Sequence, residues 1–188
     1  MQTVKTWPET ISKSVATLSL AVGIAVNAAV PAALADLGAA ARSVPSAALV
    51  GEGRFSFLGF RVFDAELYAP QGEFETSGPF ALKLTYLRNF EGAAIAERSA
   101  KEIKAQGSAS AGQIDSWTRQ MDSIFPDVRA GQSITGVKTA NGTTEFYADG
   151  RKIGAIQDPA FTQRFFNIWL GAQTKNPSLR AKLVGASG

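Results

Sequence analysis

Two dipeptides in the C-terminal half of the chain, Asn141-Gly142 and Asp149-Gly150, constrain the fold more than any other feature. Both favour the positive backbone φ of a tight hairpin turn. The segments that they join are short, so the sequence predicts three consecutive antiparallel strands. These strands cover residues 133–140, 143–148 and 151–156.

Further strands are predicted upstream of the meander. Residues 54–57 and 60–68 alternate between apolar and polar side chains around a break at Gly59, and residues 80–88 repeat the pattern. The preceding segment, residues 51–54, has two glycines but lacks the Lys-Ser/Thr and the helix start of a phosphate-binding loop. It is therefore interpreted as a turn that enters the first strand.

Helices are predicted in the middle and at the C-terminal end of the chain. Alanines and Ile103 recur at helical spacing over residues 91–106, and a capping-box pattern at Ser110 precedes an apolar stripe. Asp158-Pro159 and Asn176-Pro177 each combine a capping residue with a first-turn proline. The predicted fold class is α+β, with an antiparallel sheet of about six strands and three or four helices on one side.

The chain of 188 residues contains no histidine and no cysteine. This excludes Ser-His-Asp triads, thiol nucleophiles, disulfides and zinc or iron–sulfur sites. Catalysis would have to use Arg, Lys, Tyr, Thr, Ser, Asn or carboxylates, or an oxygen-ligated metal ion, and binding without chemistry is equally open. No cofactor and no metal site are predicted. The 19 basic and 16 acidic residues include no basic run interleaved with aromatics, so no nucleic-acid partner is predicted.

Residues 1–35 have the pattern of a secretory signal peptide, with a basic start, an apolar stretch and small residues before a cleavage site after Ala35. We expect a periplasmic or secreted protein that meets the membrane only through this segment during export. An uncleaved anchor is the alternative, because residues 15–35 are nearly long enough to span a bilayer. Residues 36–48 are predicted to be a flexible leader, and residues 49–188 a single domain; the oligomeric state is left open.

Polar side chains within aromatic-rich segments are the candidates for ligand binding. A guanidinium among phenylalanines costs free energy unless it is paired, so Arg54 and Arg88 need an explanation. Each is interpreted either as a surface arginine with a snorkelling stem or as an anchor for a carboxylate or enolate in an apolar cleft. The predicted ligand-binding residues are Arg54, Tyr68, Tyr86, Arg88, Trp117 and Trp169.

Short motifs of glycine, aromatic and arginine residues run through residues 49–184. They are Gly51-x-Gly53-Arg54, residues 59–68, Tyr86-x-Arg88, residues 125–131, Phe146-Tyr147, residues 165–171 and residues 177–180. Together, their order and spacing resemble the bacterial, exported chalcone isomerase-like proteins. The resemblance implies an open-faced sandwich, in which a layer of helices covers one face of a large antiparallel sheet and a ligand cleft lies between them.

The resemblance also implies a function. Plant chalcone isomerases close a chalcone to a flavanone, and fatty-acid-binding relatives hold a carboxylate with an arginine and a tyrosine. The catalytic arginine of the family corresponds to Arg54. Its threonine, tyrosine, asparagine and C-terminal threonine or serine fall near Phe63, Ile95, Glu102 and Ile168, respectively.

Because only Arg54 matches that set, no catalytic residue is assigned beyond it. The resemblance therefore implies a protein without chalcone isomerase activity that binds a small apolar or acyl-type ligand. Two alternatives stay open. One is an isomerase of the intramolecular lyase type that acts on another enone. The other is a partner-binding protein of the cell envelope that uses the open face of the sheet.

Overall fold

The computed structural model describes residues 36–185, and the predicted signal segment lies outside them. In this part of the chain, six strands form one antiparallel sheet in chain order, and helices cover it, as the sequence predicted. The strands are β1 (Ala47–Phe57), β2 (Phe60–Pro70), β3 (Phe80–Tyr86), β4 (Ser133–Lys138), β5 (Thr144–Ala148) and β6 (Arg151–Ile156). The helices are α1 (Gly92–Ala105), α2 (Ala111–Ile124), α3 (Pro159–Leu170) and α4 (Pro177–Leu183). Within residues 36–185 no helix combines the length and apolarity that a membrane crossing requires.

The two predicted hairpins are present, with different turns. Asp149 and Gly150 have φ values of 46° and 76°, as a two-residue turn between β5 and β6 requires. At the other turn only Gly142 has a positive φ, of 80°. The loop between β4 and β5 is longer, and it is closed by a hydrogen bond from the amide of Thr139 to the carbonyl of Thr143.

Strand β1 begins earlier than the sequence predicts. Gly51 and Gly53 lie inside this strand rather than in a turn. A Cβ on Gly51 would lie 2.1 Å from the backbone oxygen of Lys182, and a Cβ on Gly53 would lie 2.8 Å from Cδ1 of Leu179. The glycines are therefore needed because α4 packs directly against the backbone of β1.

Alternate residues of each strand point to opposite faces of the sheet. We call the face that carries α1–α4 the helix-side face. Its core is largely aromatic: the ring of Phe146 on β5 packs edge-to-face on Phe165 of α3, with 5.2 Å between centroids. The polar start of α3 is also fixed, because the indole Nε1 of Trp117 on α2 donates to the capping carboxylate of Asp158 at 2.8 Å.

The other side of the sheet, which we call the opposite face, is partly covered by a 3₁₀ helix, Gly38–Ser43. Leu37 and Val44, on either side of it, are fully buried against this face. The predicted flexible leader over residues 36–48 is therefore replaced by an ordered segment. Its small residues permit close packing, since a Cβ on Gly38 would lie 2.9 Å from Cα of Gly150.

Candidate ligand-binding site

A cavity of about 410 Å³ lies between the sheet and helices α1 and α3. Its volume falls within the range of about 300–1,000 Å³ that is usual for small-molecule sites. Strands β1–β4 form one wall and the two helices form the other. The apolar side chains of the walls are Phe55, Phe57, Phe60, Val62, Phe63, Leu82, Leu84, Phe90, Ala94, Ile95, Phe125, Ile134, Phe165, Ile168 and Trp169.

Tyr86, at the end of β3, brings a phenol hydroxyl to the lining of the cavity. This side chain is only 6% exposed. Burial raises the pKa of Tyr86 well above its usual range, so the phenol is a neutral hydrogen-bond donor at physiological pH. Among residues 36–185 no hydrogen bond to this hydroxyl is found, and Tyr86 lines the cavity. It is therefore available to a polar group of a ligand.

Two arginines lie at the margin of the cavity, and they differ in charge compensation. Arg98 on α1 forms an ion pair with Glu102 at 2.7 Å, and Glu102 also pairs with Lys175 at 2.8 Å. Arg88, two residues beyond Tyr86, makes no such ion pair within the described residues. Its guanidinium lies 5.2 Å from the ring centroid of Phe60. Arg88 is therefore the cation that remains free to attract an anionic group.

Three of the six predicted ligand-binding residues line the cavity: Tyr86, Arg88 and Trp169. Arg54 does not, because it projects from the opposite face. Its Nε lies 2.6 Å from Oδ1 of Asp64, and its Nη2 lies 2.8 Å from Oδ2. These hydrogen bonds lower the pKa of the Asp64 carboxyl, so the pair is fully charged at neutral pH. The hypothesis that Arg54 anchors a ligand in the cleft is corrected accordingly.

The other two predicted residues have structural roles. Tyr68 lies on the opposite face, where its hydroxyl donates to Glu66 at 2.9 Å and also contacts Asp36 at 3.3 Å. Trp117 is buried between α2 and α3, with its indole nitrogen bound to Asp158 as described above. Neither side chain belongs to the cavity walls, so neither contacts a ligand placed there.

Unlike Arg54, the residues at the other four catalytic positions of the family lie at the cavity. Phe63, Ile95, Glu102 and Ile168 all line the cavity. Three of the four side chains are hydrocarbon, and the fourth is a carboxylate already paired with two cations. The resemblance therefore pointed to residues that line the cleft, and these four positions lack the hydroxyl and amide donors of the enzyme set.

Arg98 and Ser99 were not among the predicted site residues, although the helical pattern that places them is present in the sequence. Both lie on α1 within one helical turn of Ile95, and all three side chains face the cavity. Asn176 was also missed as a wall residue, because it was assigned only to the start of a helix. No metal site competes with this arrangement in residues 36–185, where no three acidic side chains cluster.

Comparisons with known proteins agree with the fold. A sequence model of the family described as chalcone isomerase-like matches residues 47–185. The crystal structure of a fatty-acid binding protein from Arabidopsis thaliana is similar, with a TM-score of 0.57 and 13% sequence identity. The match covers 74% of this chain and 87% of the plant protein. No curated protein sequence matches the chain.

Proposed function

The chain belongs to the chalcone isomerase-like family, and from that premise we propose that it binds a small apolar, acyl-type ligand and does not cyclise chalcones. The observation that carries the proposal is the apolar cavity of about 410 Å³ with the unpaired hydroxyl of Tyr86 in its wall. Such a cavity suits a ligand with a hydrocarbon body and one polar end. The plant protein of similar fold, which is named for fatty-acid binding, supports the same class of ligand.

The polar end of the ligand is a carboxylate in this proposal. The Tyr86 hydroxyl can donate to one carboxylate oxygen, and the nearby Arg88 guanidinium supplies the opposite charge. The acyl chain would lie against the phenylalanine and isoleucine side chains of the walls, where each buried methylene contributes about 0.8 kcal/mol. Chain length therefore governs affinity, and the head group governs selectivity.

Cyclisation of a chalcone is disfavoured by the same walls. Catalysis of that kind needs donors that stabilise charge on the enone oxygen as the transition state forms. The positions that would hold those donors carry Phe63, Ile95 and Ile168, which cannot donate hydrogen bonds. Arg54, which matches the family arginine, is bound to Asp64 on the other face of the sheet. These observations support binding of a ligand rather than cyclisation of a chalcone.

Displacement of a fluorescent fatty acid from the purified protein tests this proposal. We expect saturable binding and competition by long-chain fatty acids, with the corresponding fatty alcohols weaker by about tenfold, the effect of losing one charge-assisted contact. Arg88→Ala and Tyr86→Phe should each reduce this preference for the acid. Arg54→Ala is the matched arginine control and should leave the preference unchanged.

A second pair of variants tests whether the ligand occupies the cavity. Ala94 lines the cavity from α1, whereas its neighbour Ala93 is also exposed and does not line it. Ala94→Trp should abolish binding by filling the space, and Ala93→Trp should have no effect. Equal behaviour of the two variants, or the absence of any saturable binding to the parent protein, would contradict the proposal.

We also propose that the protein is exported and matured by cleavage after Ala35. The support is the charge and apolar pattern of residues 1–35. A cut at this site retains Leu37, whose side chain is fully buried against the opposite face of the sheet. The intact mass of the protein from a periplasmic or culture fraction should correspond to a chain that begins at Asp36. An intact chain that stays in the membrane fraction would contradict cleavage and favour an anchor.

A further inference from the structure

The tip of the β1–β2 hairpin exposes three large apolar side chains next to one another. Phe57, Leu58 and Phe60 are 53%, 80% and 62% exposed. They are three of the four large hydrophobic side chains that are exposed among residues 36–185; the fourth, Leu49, lies elsewhere on β1. Single exposed apolar residues need no explanation, but a contiguous group of them marks a surface that meets another apolar surface.

The backbone of this turn makes the exposure more informative. Leu58 and Gly59 have φ values of 49° and 79°, nearly those of Asp149 and Gly150 in the β5–β6 turn. Asn or Asp is favoured at the first position of such a turn, and the β5–β6 turn follows that rule. Leu58 breaks it, and a side chain that is 80% exposed gains no packing within the protein in return. Packing within residues 36–185 therefore does not explain the leucine at this position.

The charge around the tip indicates what kind of surface it meets. Three guanidiniums lie along this end of the hairpin or beside it, those of Arg54, Arg61 and Arg88, against the single carboxylate of Asp64. Arg61 and Arg88 are both exposed, and Arg88 stands beside the ring of Phe60. Apolar tips ringed by arginine match the interface of an anionic bilayer, where acyl chains lie beneath negative head groups.

The tip is also continuous with the cavity, since Phe57 and Phe60 belong to both, and Arg88, beside the ring of Phe60, lines the cavity as well. A bilayer at the tip would therefore set the mouth of the cavity against a source of acyl ligands. A protein partner fits less well. Three side chains on a two-residue turn offer much less area than the roughly 1,200–2,000 Å² that stable protein interfaces bury.

We propose that residues 57–60 insert into the surface of an anionic phospholipid bilayer and present the cavity to it. The sequence alone predicted membrane contact only through residues 1–35, so this adds a second, peripheral contact made by the folded domain. The docking does not depend on which ligand the cavity holds. Apolar insertion supplies the affinity, and Arg61 and Arg88 supply the preference for negative lipids.

Sedimentation with phosphatidylcholine vesicles, with and without phosphatidylglycerol, tests the proposal. We expect the protein to bind mainly the anionic vesicles and to be released by salt. Leu58→Asn removes the most exposed apolar side chain of the tip and introduces the favoured Asn-Gly turn, so the fold is retained. It should weaken vesicle binding by about tenfold or more. Leu49→Asn, at the other exposed leucine, is the matched control and should bind as the parent does.

The outcomes separate the docking from the proposed ligand binding. Leu58 does not line the cavity, so the Leu58→Asn variant should bind the fluorescent fatty acid as tightly as the parent does. Vesicle binding that is absent, or equal for the two leucine variants, overturns the docking and leaves ligand binding intact. Self-association that Leu58→Asn abolishes, without any vesicle binding, would assign the tip to a second copy of the chain and overturn the proposal as well.

Discussion

The two faces of the sheet are built by alternate residues of the same strands, yet they satisfy their polar groups differently. On the opposite face, Arg54 pairs with Asp64, and Lys83 pairs with Glu66 at 3.0 Å. The helix-side face is apolar, and part of it is left unfilled as the cavity. A polar group without a hydrogen-bond partner on the helix-side face is therefore a candidate for contact with a ligand.

The three tyrosines of the chain show this difference most directly. Tyr68 and Tyr147 lie on the opposite face, and each hydroxyl donates to a carboxylate two residues away, at 2.9 Å and 2.8 Å. Tyr86 lies on the helix-side face and has no such bond among the described residues. Two tyrosines thus stabilise the fold, and the third is free for a ligand. The following changes test this contrast, starting with the largest expected effect.

Truncating a side chain in the well-packed core of the helix-side face, away from the cavity, should have the largest effect on stability. Phe146 is fully buried and packs on Phe125 and Phe165. Phe146→Ala should lower the free energy of unfolding by about 3–5 kcal/mol, because a cavity replaces the ring. Urea denaturation measures the loss. A loss below about 1 kcal/mol would mean that this region is as loosely packed as the ligand cavity.

On the opposite face, the 3₁₀ helix should matter somewhat less. Leu37→Ala should cost about 2–4 kcal/mol, since its side chain is fully buried between this helix and the sheet. Leu49→Ala removes the same atoms from a site that is 47% exposed, and its effect should stay within about 0.5 kcal/mol. Equal losses in the two variants would show that residues 36–44 do not stabilise the fold.

The tyrosines provide a smaller and more discriminating test. Tyr68→Phe should lower the free energy of unfolding by about 1 kcal/mol, because the carboxylate of Glu66 loses its hydrogen bond. Tyr86→Phe removes a hydroxyl with no protein partner, so it should leave the stability unchanged while it weakens binding of fatty acids. Calorimetry of both variants, with and without ligand, distinguishes the two effects. A stability loss at Tyr86 equal to that at Tyr68 would contradict the contrast.

The smallest expected effect concerns pH. Burial raises the pKa of Glu145, but hydrogen bonds from Lys152, Tyr147 and Ser43 outweigh it, so the net pKa lies below its ordinary value of 4.5. The stabilisation is therefore complete above about pH 4.5 and is lost as the pH falls through the lowered value. Glu145→Gln should be less stable than the parent near neutrality by up to about 1 kcal/mol.

Denaturation near neutral pH and again in acid checks the sign of this effect. The gap between Glu145→Gln and the parent should close in acid, where the carboxyl is protonated in both states. Thr144→Ser, at the neighbouring buried position, offers a control without a titrating group. A gap that widens on acidification would mean that burial, rather than the three hydrogen bonds, controls this carboxyl.

Local signals predicted the fold well where a short segment determines its own conformation. The Asp149-Gly150 turn, the capping box at Ser110 and the proline start of α3 all appear in the structure. The extension of β1 through Gly51 was missed because its cause, the close approach of α4, lies more than a hundred residues away. The 3₁₀ helix was missed for the same reason, since its order comes from contact with the sheet.

The site was predicted in part. Alternation along β3 placed Tyr86 and Arg88 on one face, and both line the cavity. Arg54 was misassigned because alternation does not reveal which face bears the cavity. Its partner Asp64 becomes visible only in the register of β1 with β2, where the two residues are directly opposite. Had the register been known, Asp64 opposite Arg54 would have indicated a cross-strand ion pair instead of a ligand anchor.

The chain-order sheet also has a consequence for how the molecule folds. Every strand pairs with its neighbour along the chain, so most of the sheet can assemble from local hairpins. The pairing of β3 with β4 is the exception, because α1 and α2 lie between them in sequence. Closing that loop costs more chain entropy than any hairpin does. The junction of β3 and β4 should therefore form late, and it is where folding of the domain becomes cooperative.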